Sequence, residues 1–307
     1  SKKVHDGKRS IIQDPTKPPT ESMTTESNVR LRMSTKRSSK VTLAKDYDSK
    51  KRKYLVGLNL FNRKPELGIQ YLIGEKFLDS SPRSVAEFLF NRNCLSKQVI
   101  GEYISNTQDA FVKSILREYV SLIDLSNMPV DEALRKFQSH FRLPGEAAKI
   151  DYLTQTFSSR FIECNRLVCK NLFVSAENVL DVLAYAIILL NTTIYNPNLK
   201  PTERMTFEQF LKMIRGIDNG KDINKEYLQG IYERVQEHEF KPSKDHTTSV
   251  MEFEKNIVGS TRPPAPFAMP HRRLVCLVQL YEILDLTKRS NLHARECFLF
   301  NDILIVI

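Results

Sequence analysis

Apolar residues recur every three or four positions through most of the chain, a spacing that predicts a succession of helices. The spacing is regular over 111–123 and again over 150–161. The segment 178–190 is apolar on nearly all sides, which is typical of a helix buried at the centre of a domain. From residue 54 onward the pattern therefore predicts an all-α domain of roughly 190–200 residues.

Local signals indicate where several of these helices begin. Proline fits the first position of a helix, and Ser or Thr followed three residues later by Glu or Gln forms a capping box. On these grounds we predict helix starts at Pro65, Ser84 (with Glu87), Pro129 and Thr206 (with Gln209), a helix end near Gly216, and two later helices over 224–237 and 246–257.

Near residue 272 the pattern changes to that of strands. The segments 272–284 and 296–307 are rich in Val, Leu, Ile and Phe and flank the polar stretch TKRSNLHAR. They predict two or three strands of a sheet. We expect the sheet to continue beyond Ile307, because an apolar strand at that point would leave a hydrophobic edge open.

Charge is distributed unevenly. The formal net charge is +10, and residues 1–53 carry 15 Lys and Arg against 6 Asp and Glu, which is +9. This part is rich in Ser, Thr and Pro and contains one aromatic residue, so we predict a disordered basic arm. A solvated linker and an anchor to anionic lipid are both consistent with it. Nucleic acid is not expected as a partner, because the arm lacks interleaved aromatics.

Several kinds of chemistry are not indicated. The five cysteines form no CxxC pair, and the six histidines show no metal-ligand spacing. There is no Gly-rich phosphate loop, HExxH or GxSxG. The longest apolar run, 182–190, is shorter than the ~20 residues that cross a bilayer. We therefore expect no metal and no cofactor, and the cysteine usage favours a reduced, intracellular protein.

Two short segments combine restricted backbone with polar groups. In FRLPGEAAKI (141–150), Pro144 would take the first helical position and Gly145 the second, which places Glu146 in the first turn. In NTTIYNPN (191–198), asparagines and a proline follow the central apolar helix. Taken separately, the first predicts a glutamate at the positive end of a helix dipole, and the second a helix closed by Asn and Pro.

FRLPGEAAKI (141–150) resembles the first signature of the Sec7 domain of Arf guanine-nucleotide exchange factors. AYAIILLNTTIYNPNLK (184–200), which contains the second segment, is similar to the second signature, and the order and spacing of the two also fit. The resemblance covers about 54–240. The stretches MPVDEALRKFQSHFR, RGIDNGKDI and PHRRLVC, with FLFNDILIV, are similar to the IQ-motif-and-Sec7 subfamily, called BRAG. The resemblance implies a right-handed superhelical domain of about ten helices, a linker helix and the first strands of a pleckstrin-homology barrel. The implied organisation is a basic arm (1–53), an exchange domain (54–243), a linker (244–269) and the start of the pleckstrin-homology domain (270–307).

The resemblance implies a mechanism without covalent chemistry. A glutamate enters the nucleotide site of an Arf-family GTPase, repels the β-phosphate of GDP and competes for Mg²⁺ and the phosphate-binding lysine. Proline and glycine before it would hold it stiff and let the partner backbone approach. By motif position the resemblance implies Glu146 as the catalytic residue and, as partner-binding residues, Arg142, Lys149, Asp151, Tyr185, Leu189, Asn191, Thr193 and Asn196.

Three positions depart from the family pattern. Asn178 stands where an aspartate is usual, Asp181 where an aromatic lines the groove, and Tyr185 where this subfamily more often has phenylalanine. They favour an alternative, a helical scaffold that binds Arf or membranes without exchange. A third alternative is an unrelated all-α interaction domain with a lipid-binding arm. With a pleckstrin-homology domain and a basic arm, we also expect the protein to be cytoplasmic and peripheral on phosphoinositide-containing plasma or endosomal membranes.

Overall fold

The computed structural model describes residues 47–257, 266–283 and 292–307. The chain divides into two units, 1–51 and 52–307. Of the first unit only 47–51 are described, and they are helical. The predicted basic arm therefore lies almost wholly outside the described residues.

The described residues form helices up to residue 256 and strands after residue 273, as the hydrophobic pattern predicted. One short 3₁₀ turn occurs among the described residues at Pro201–Glu203. Twelve α-helices occur between residues 47 and 256: α1 47–61, α2 Pro65–Gly74, α3 Pro82–Asn91, α4 Lys97–Ile104, α5 Ala110–Ser121, α6 Val130–Ser139, α7 Ala147–Cys164, α8 Arg166–Leu172, α9 Ala176–Tyr195, α10 Phe207–Met213, α11 Lys225–Glu237 and α12 His246–Asn256.

The helix starts predicted at Pro65 and Thr206 are correct, and the one predicted at Ser84 is wrong. Pro65 occupies the first position of α2, and Thr206 and Gln209 form the capping box of α10. Helix α3, however, begins at Pro82 rather than at Ser84. The cap is Ser81, whose hydroxyl accepts the Ser84 N–H at 3.2 Å. Proline suits the first helical position because its missing N–H would have no partner there, so the helix starts earlier than the capping-box spacing suggested.

Helix α9 is the core of the helical domain, and it is longer than the predicted 178–190. By length and composition alone it could cross a membrane. Half of this apolar stretch is instead buried inside the domain, where α9 packs against α7, α11 and α6. Val179, Leu180 and Leu183 are wholly buried there. A helix that is apolar nearly all round is stable in water only when other helices enclose it.

A buried ion pair joins α6 to α11. The carboxylate of Asp131 has no exposed surface, and the Arg234 guanidinium donates to both of its oxygens at 2.7 and 2.8 Å. The hydrogen bond from this guanidinium to Asp131 raises the pKa of Arg234. Nearby, the Arg135 guanidinium lies 4.3 Å from the centre of the Phe240 ring and donates to the carbonyl of Glu239. These contacts fix α11 against the domain.

Three antiparallel strands follow α12: β1 Leu274–Ile283, β2 Leu292–Phe300 and β3 Leu304–Val306, in the order β1-β2-β3. Strand β2 begins within the predicted polar stretch. A small second core joins α12 to the sheet through Val250, Phe253, Phe267 and Phe300. Every residue of β1 is exposed.

Candidate functional site

The acidic residue of FRLPGEAAKI stands at the very start of α7. The helix begins at Ala147 with Glu146 as its N-cap residue, so the predicted start at Pro144 is three residues too early. Pro144 is buried and anchors the turn, while Gly145 and Glu146 are exposed. The Glu146 side chain makes no capping hydrogen bond to α7, and 70% of it is exposed. Its carboxylate is therefore directed at solvent rather than used to close the helix.

Gly145 lies in open surroundings. A Cβ atom built there would meet no atom within 4 Å. Among the described residues the glycines with positive φ are Gly216 and Gly220, so Gly145 does not adopt a left-handed backbone conformation. Nothing inside the domain thus demands glycine at 145, and the open space in front of the turn is available to another molecule.

A lysine on the next turn of α7 pairs with Glu146. Lys149 Nζ lies 3.0 Å from an oxygen of Glu146 and 3.1 Å from an oxygen of Glu102 on α4. The hydrogen bonds that the ammonium donates to these two carboxylates, the one to Glu146 first, raise the pKa of Lys149. The ammonium is therefore shared between two acids, one at the candidate site and one on a neighbouring helix. Glu102 carries no local sequence signal, since it lies 47 residues from Lys149.

Helices α7 and α9 meet at a cavity of about 440 Å³ beside Glu146. The structure thus brings Asp151, which directly follows the first segment, together with Tyr185, which lies on α9 before the second. Six residues line the cavity: Ala147, Ala148, Asp151, Asp181, Val182 and Tyr185. Leu189 is half-buried one turn further along α9.

Asp181 makes one wall of this cavity acidic. Burial raises the pKa of its carboxyl group, and the charges of Asp151 and Glu177 act in the same direction, while a hydrogen bond with Ser158 opposes them. An acid at this point was visible in the sequence as a departure from the family pattern. Its effect on the cavity follows only from the packing of α7 against α9.

The asparagine-rich segment forms the exit of α9. Asn196 is the residue that follows the helix, and its side-chain oxygen accepts the Asn198 N–H at 3.0 Å. The Thr193 hydroxyl donates to the carbonyl of Leu190, and the Asn191 side-chain oxygen accepts the Phe240 N–H at 2.9 Å. Asn191, Thr193 and Asn196 are half-buried, and none of them lines the cavity between α7 and α9.

Arg142 belongs to a separate crevice. Its side chain is exposed, and its backbone N–H donates to the carbonyl of Lys97 at 2.9 Å. Residues at the start of α4, before α12 and within α12 line this crevice. They include Ser96, the residue just before α4, and Ser243 and Met251. The predicted site residues thus lie in three places: the segment around Glu146, the cavity, and the exit of α9.

Comparisons with known proteins agree with this architecture. Residues 50–240 match the Sec7 domain model, and residues 264–307 match the PH domain model IQ_SEC7_PH. The chain is 41% identical over 189 residues to Brefeldin A-inhibited guanine nucleotide-exchange protein 2 of Arabidopsis thaliana, covering 62% of this chain and 10% of that protein. It is 39% identical over 205 residues to the human exchange protein 1, covering 66% and 11%. The chain therefore spans about a tenth of the length of these relatives.

Solved structures show the same fold. The crystal structure of the Sec7p catalytic domain is 33% identical with a TM-score of 0.54, covering 60% of this chain and 93% of that one. A structure of ARF1-GDP bound to a Sec7 domain with Brefeldin A is 34% identical with a TM-score of 0.58, covering 65% and 97%. The family predicted from two short segments is thereby confirmed, and an unrelated helical domain is excluded. The chain belongs to the Sec7-domain family and, with its following PH segment of the IQ-Sec7 kind, is of the BRAG type.

Proposed function

We propose that this protein accelerates nucleotide exchange on an Arf-family GTPase and that Glu146 expels the bound Mg-GDP. The observation that carries the proposal is the exposed carboxylate of Glu146 at the start of α7, on a turn anchored by buried Pro144. Membership of the Sec7 family supports it, as do the names of the relatives and the ARF1-GDP complex of a related domain.

Electrostatics explains how one carboxylate could empty the nucleotide site. GDP is held there by positive groups, a metal ion and a lysine, and its β-phosphate is negative. Two unit charges 4 Å apart interact by about 1 kcal/mol in water and about 4 kcal/mol near a protein surface. An inserted carboxylate repels the phosphate and pairs with the positive groups that held it. Tighter binding to the empty GTPase than to the loaded one is what drives release.

The cavity between α7 and α9 would hold the GTPase during this reaction. Tyr185, Leu189 and Asp151 lie in or beside it, next to the first residue of α7. Asn196 and Thr193, at the exit of α9, and Arg142, before the turn, would add polar contacts. Lys149 must release Glu146 before the carboxylate can enter the partner, and Glu102 remains as its second acid.

Reversing the charge of Glu146 tests the proposal. Purified Arf loaded with a fluorescent GDP analogue is mixed with the parent protein or with Glu146→Lys, and release is followed. We expect release to fall by about 100-fold, the order of loss seen when one charge-stabilising group is removed. Binding to Arf-GDP should persist, because the cavity is unchanged.

A matched control lies at the other end of α7. Glu163 is also exposed and pairs with a basic residue one turn away, Arg160, at 3.2 Å. Glu163→Lys therefore makes the same charge change on the same helix, and its release rate should equal that of the parent. Equal rates for Glu146→Lys and the parent would refute the mechanism.

The acidic wall of the cavity favours a second candidate, a scaffold that binds Arf without exchange. Asp181 places a carboxyl group where an aromatic is usual, and this would lower the affinity for the GTPase. The parent protein decides between the two. Binding to Arf with no acceleration of GDP release would support the scaffold. Faster GDP release from any of the Arf proteins tested would support exchange.

Membrane association is a further part of the proposal. The PH segment, together with 1–53 at a net charge of +9, would place the protein on anionic, phosphoinositide-containing membranes from the cytoplasmic side. Exchange on anionic liposomes should exceed exchange in solution, and the difference should shrink with salt because exposed charges are screened over about 8 Å at physiological ionic strength. Enhancement that does not change with salt would argue against the electrostatic part.

A further inference from the structure

Helix α4 begins without a capping bond from its own N-cap residue. That residue, Ser96, is fully buried, and its hydroxyl has no hydrogen-bond partner among the described residues. The acceptor comes instead from Asp245, 148 residues along the chain, whose Oδ2 accepts the Lys97 N–H at 2.9 Å. The start of α4 is therefore capped by a residue that lies between the matched Sec7 and PH regions.

The same carboxylate caps a second helix. Asp245 is the N-cap residue of α12, and its Oδ1 accepts the Thr248 N–H at 2.9 Å and the Thr248 hydroxyl at 3.0 Å. One acid thus accepts one free N–H group at the start of each of two helices and places its negative charge at the positive ends of both dipoles. Displacing α12 would remove the cap from α4.

Helix α4 also contacts the chain before and after the turn that carries Glu146. Before the turn, the carbonyl of Lys97 accepts the Arg142 N–H at 2.9 Å. The Arg142 carbonyl lies so close to Gly101 that a Cβ there would be 1.9 Å from the oxygen. After the turn, Glu102 holds Lys149 at 3.1 Å. The segment 142–149 therefore rests on α4 at its two ends.

We propose that Asp245 is a positioning residue for nucleotide exchange, acting through α4 on the segment that carries Glu146. This inference rests on the proposed exchange function. When the cap is lost, the first turn of α4 frays and the Lys97 carbonyl no longer holds Arg142 in place. Glu146 then loses more conformational freedom when it enters the GTPase, which slows release.

Asp245→Ser separates the two caps. Serine is itself a good N-cap, so α12 keeps a local acceptor for Thr248, but its single short hydroxyl cannot also reach Lys97. We expect the maximal rate of GDP release to fall about fivefold, which is about 1 kcal/mol. The Arf concentration that gives half-maximal rate should not change, because the cavity between α7 and α9 is untouched.

The matched control is Asp109→Ser. Asp109 caps α5 by accepting the Phe111 N–H at 2.7 Å, and no hydrogen bond joins it to 142–149. Its exchange rate should stay within twofold of the parent, at a similar loss of thermal stability. A second control, Thr248→Ala, removes a hydroxyl from the α12 cap but leaves the Lys97 bond, and it too should exchange normally.

Backbone hydrogen exchange supplies a readout that does not depend on Arf. In Asp245→Ser, amide protection should fall over 97–104 and over 141–150, whereas Asp109→Ser should change neither segment. Unchanged protection over 141–150 would overturn the inference even if the parent showed no exchange activity at all. A release rate equal to that of the parent, in a variant whose α4 has lost protection, would also overturn it. Failure of the proposed function is seen separately, as a parent protein that does not release GDP.

Discussion

Removing Arg234 is the sharpest test of what holds α11 in place. Asp131 is fully buried, and both of its oxygens accept from the Arg234 guanidinium. In Arg234→Met the carboxylate stays buried but loses its counter-ion. Breaking a buried pair in this way costs about 3–5 kcal/mol. Because 37% of the Arg234 side chain is exposed, water can partly replace it, and we expect about 3 kcal/mol.

The double variant Asp131→Leu, Arg234→Met separates the buried charge from the lost contact. If the cost comes from an uncompensated carboxylate, replacing both partners by apolar residues should recover most of it. The cycle consists of the parent, Arg234→Met, Asp131→Leu and the double variant. The free energy of unfolding of each is measured by urea denaturation at pH 7. The slope against urea concentration should be unchanged if the variants unfold in the same single transition.

Arg83→Met is the matched control for this cycle. The Arg83 guanidinium also pairs with carboxylates, Glu87 at 2.6 Å and Glu118 at 3.1 Å, but the groups on both sides are exposed. Such pairs contribute about 0–1 kcal/mol. The reasoning is refuted if Arg234→Met costs less than about 1 kcal/mol, or if the two substitutions cost the same.

Three further predictions concern the turn at 145, a buried histidine and a loop carboxylate. Gly145→Ala should not lower the melting temperature, because its Cβ has open space and a less flexible unfolded chain favours the fold by about 0.4–1 kcal/mol; a drop would mean the turn needs glycine internally. Burial, with the charges of two nearby lysines, lowers the pKa of His140 to about 4. Between pH 6.5 and pH 4 the imidazole is therefore protonated in the unfolded chain but neutral in the folded protein, and stability is lost as the pH falls through this range. Between pH 7 and pH 5 the parent should lose about 1 kcal/mol more than His140→Phe, after allowance for partial exposure, and equal losses in urea denaturation would contradict this. Asp218→Ala should cost about 2–3 kcal/mol in the same assay, because the buried carboxylate accepts the N–H groups of Val174 and Ser175 at 2.8–2.9 Å just before α9, and a cost under 0.5 kcal/mol would show that the start of α9 does not need it.

Local features of the fold could be predicted from the sequence because their signals lie within a few residues. The capping box of α10, the proline at the start of α2 and the change from helical to strand periodicity near 272 are of this kind. Where two local signals compete, the stronger one is hard to identify. At α3 the proline at 82 prevails over the Ser84 spacing, and at α7 the helix begins after Pro144 and Gly145 rather than at them.

The support of the candidate site could not be predicted because its contacts join distant parts of the chain. Lys97 and Asp245 lie 148 residues apart, and Glu102 and Lys149 lie 47 apart. No periodicity or motif links such positions, since each residue is ordinary in its own segment. The motif predicted Glu146 near a helix start, although inside the first turn rather than as the N-cap residue. The contacts with α4 that support its turn could be found only from the structure.

The close approach of Gly101 to the Arg142 carbonyl has an evolutionary consequence. Any larger residue at 101 would collide with that oxygen at 1.9 Å, so a mutation there is tolerated only if the path of the chain before Glu146 changes as well. Two substitutions would be needed at once, which makes the position hard to vary by single steps. The residue that aligns with Gly101 in other Sec7 domains thus indicates, from sequence alone, which of them can share this loop path and which must have rebuilt it.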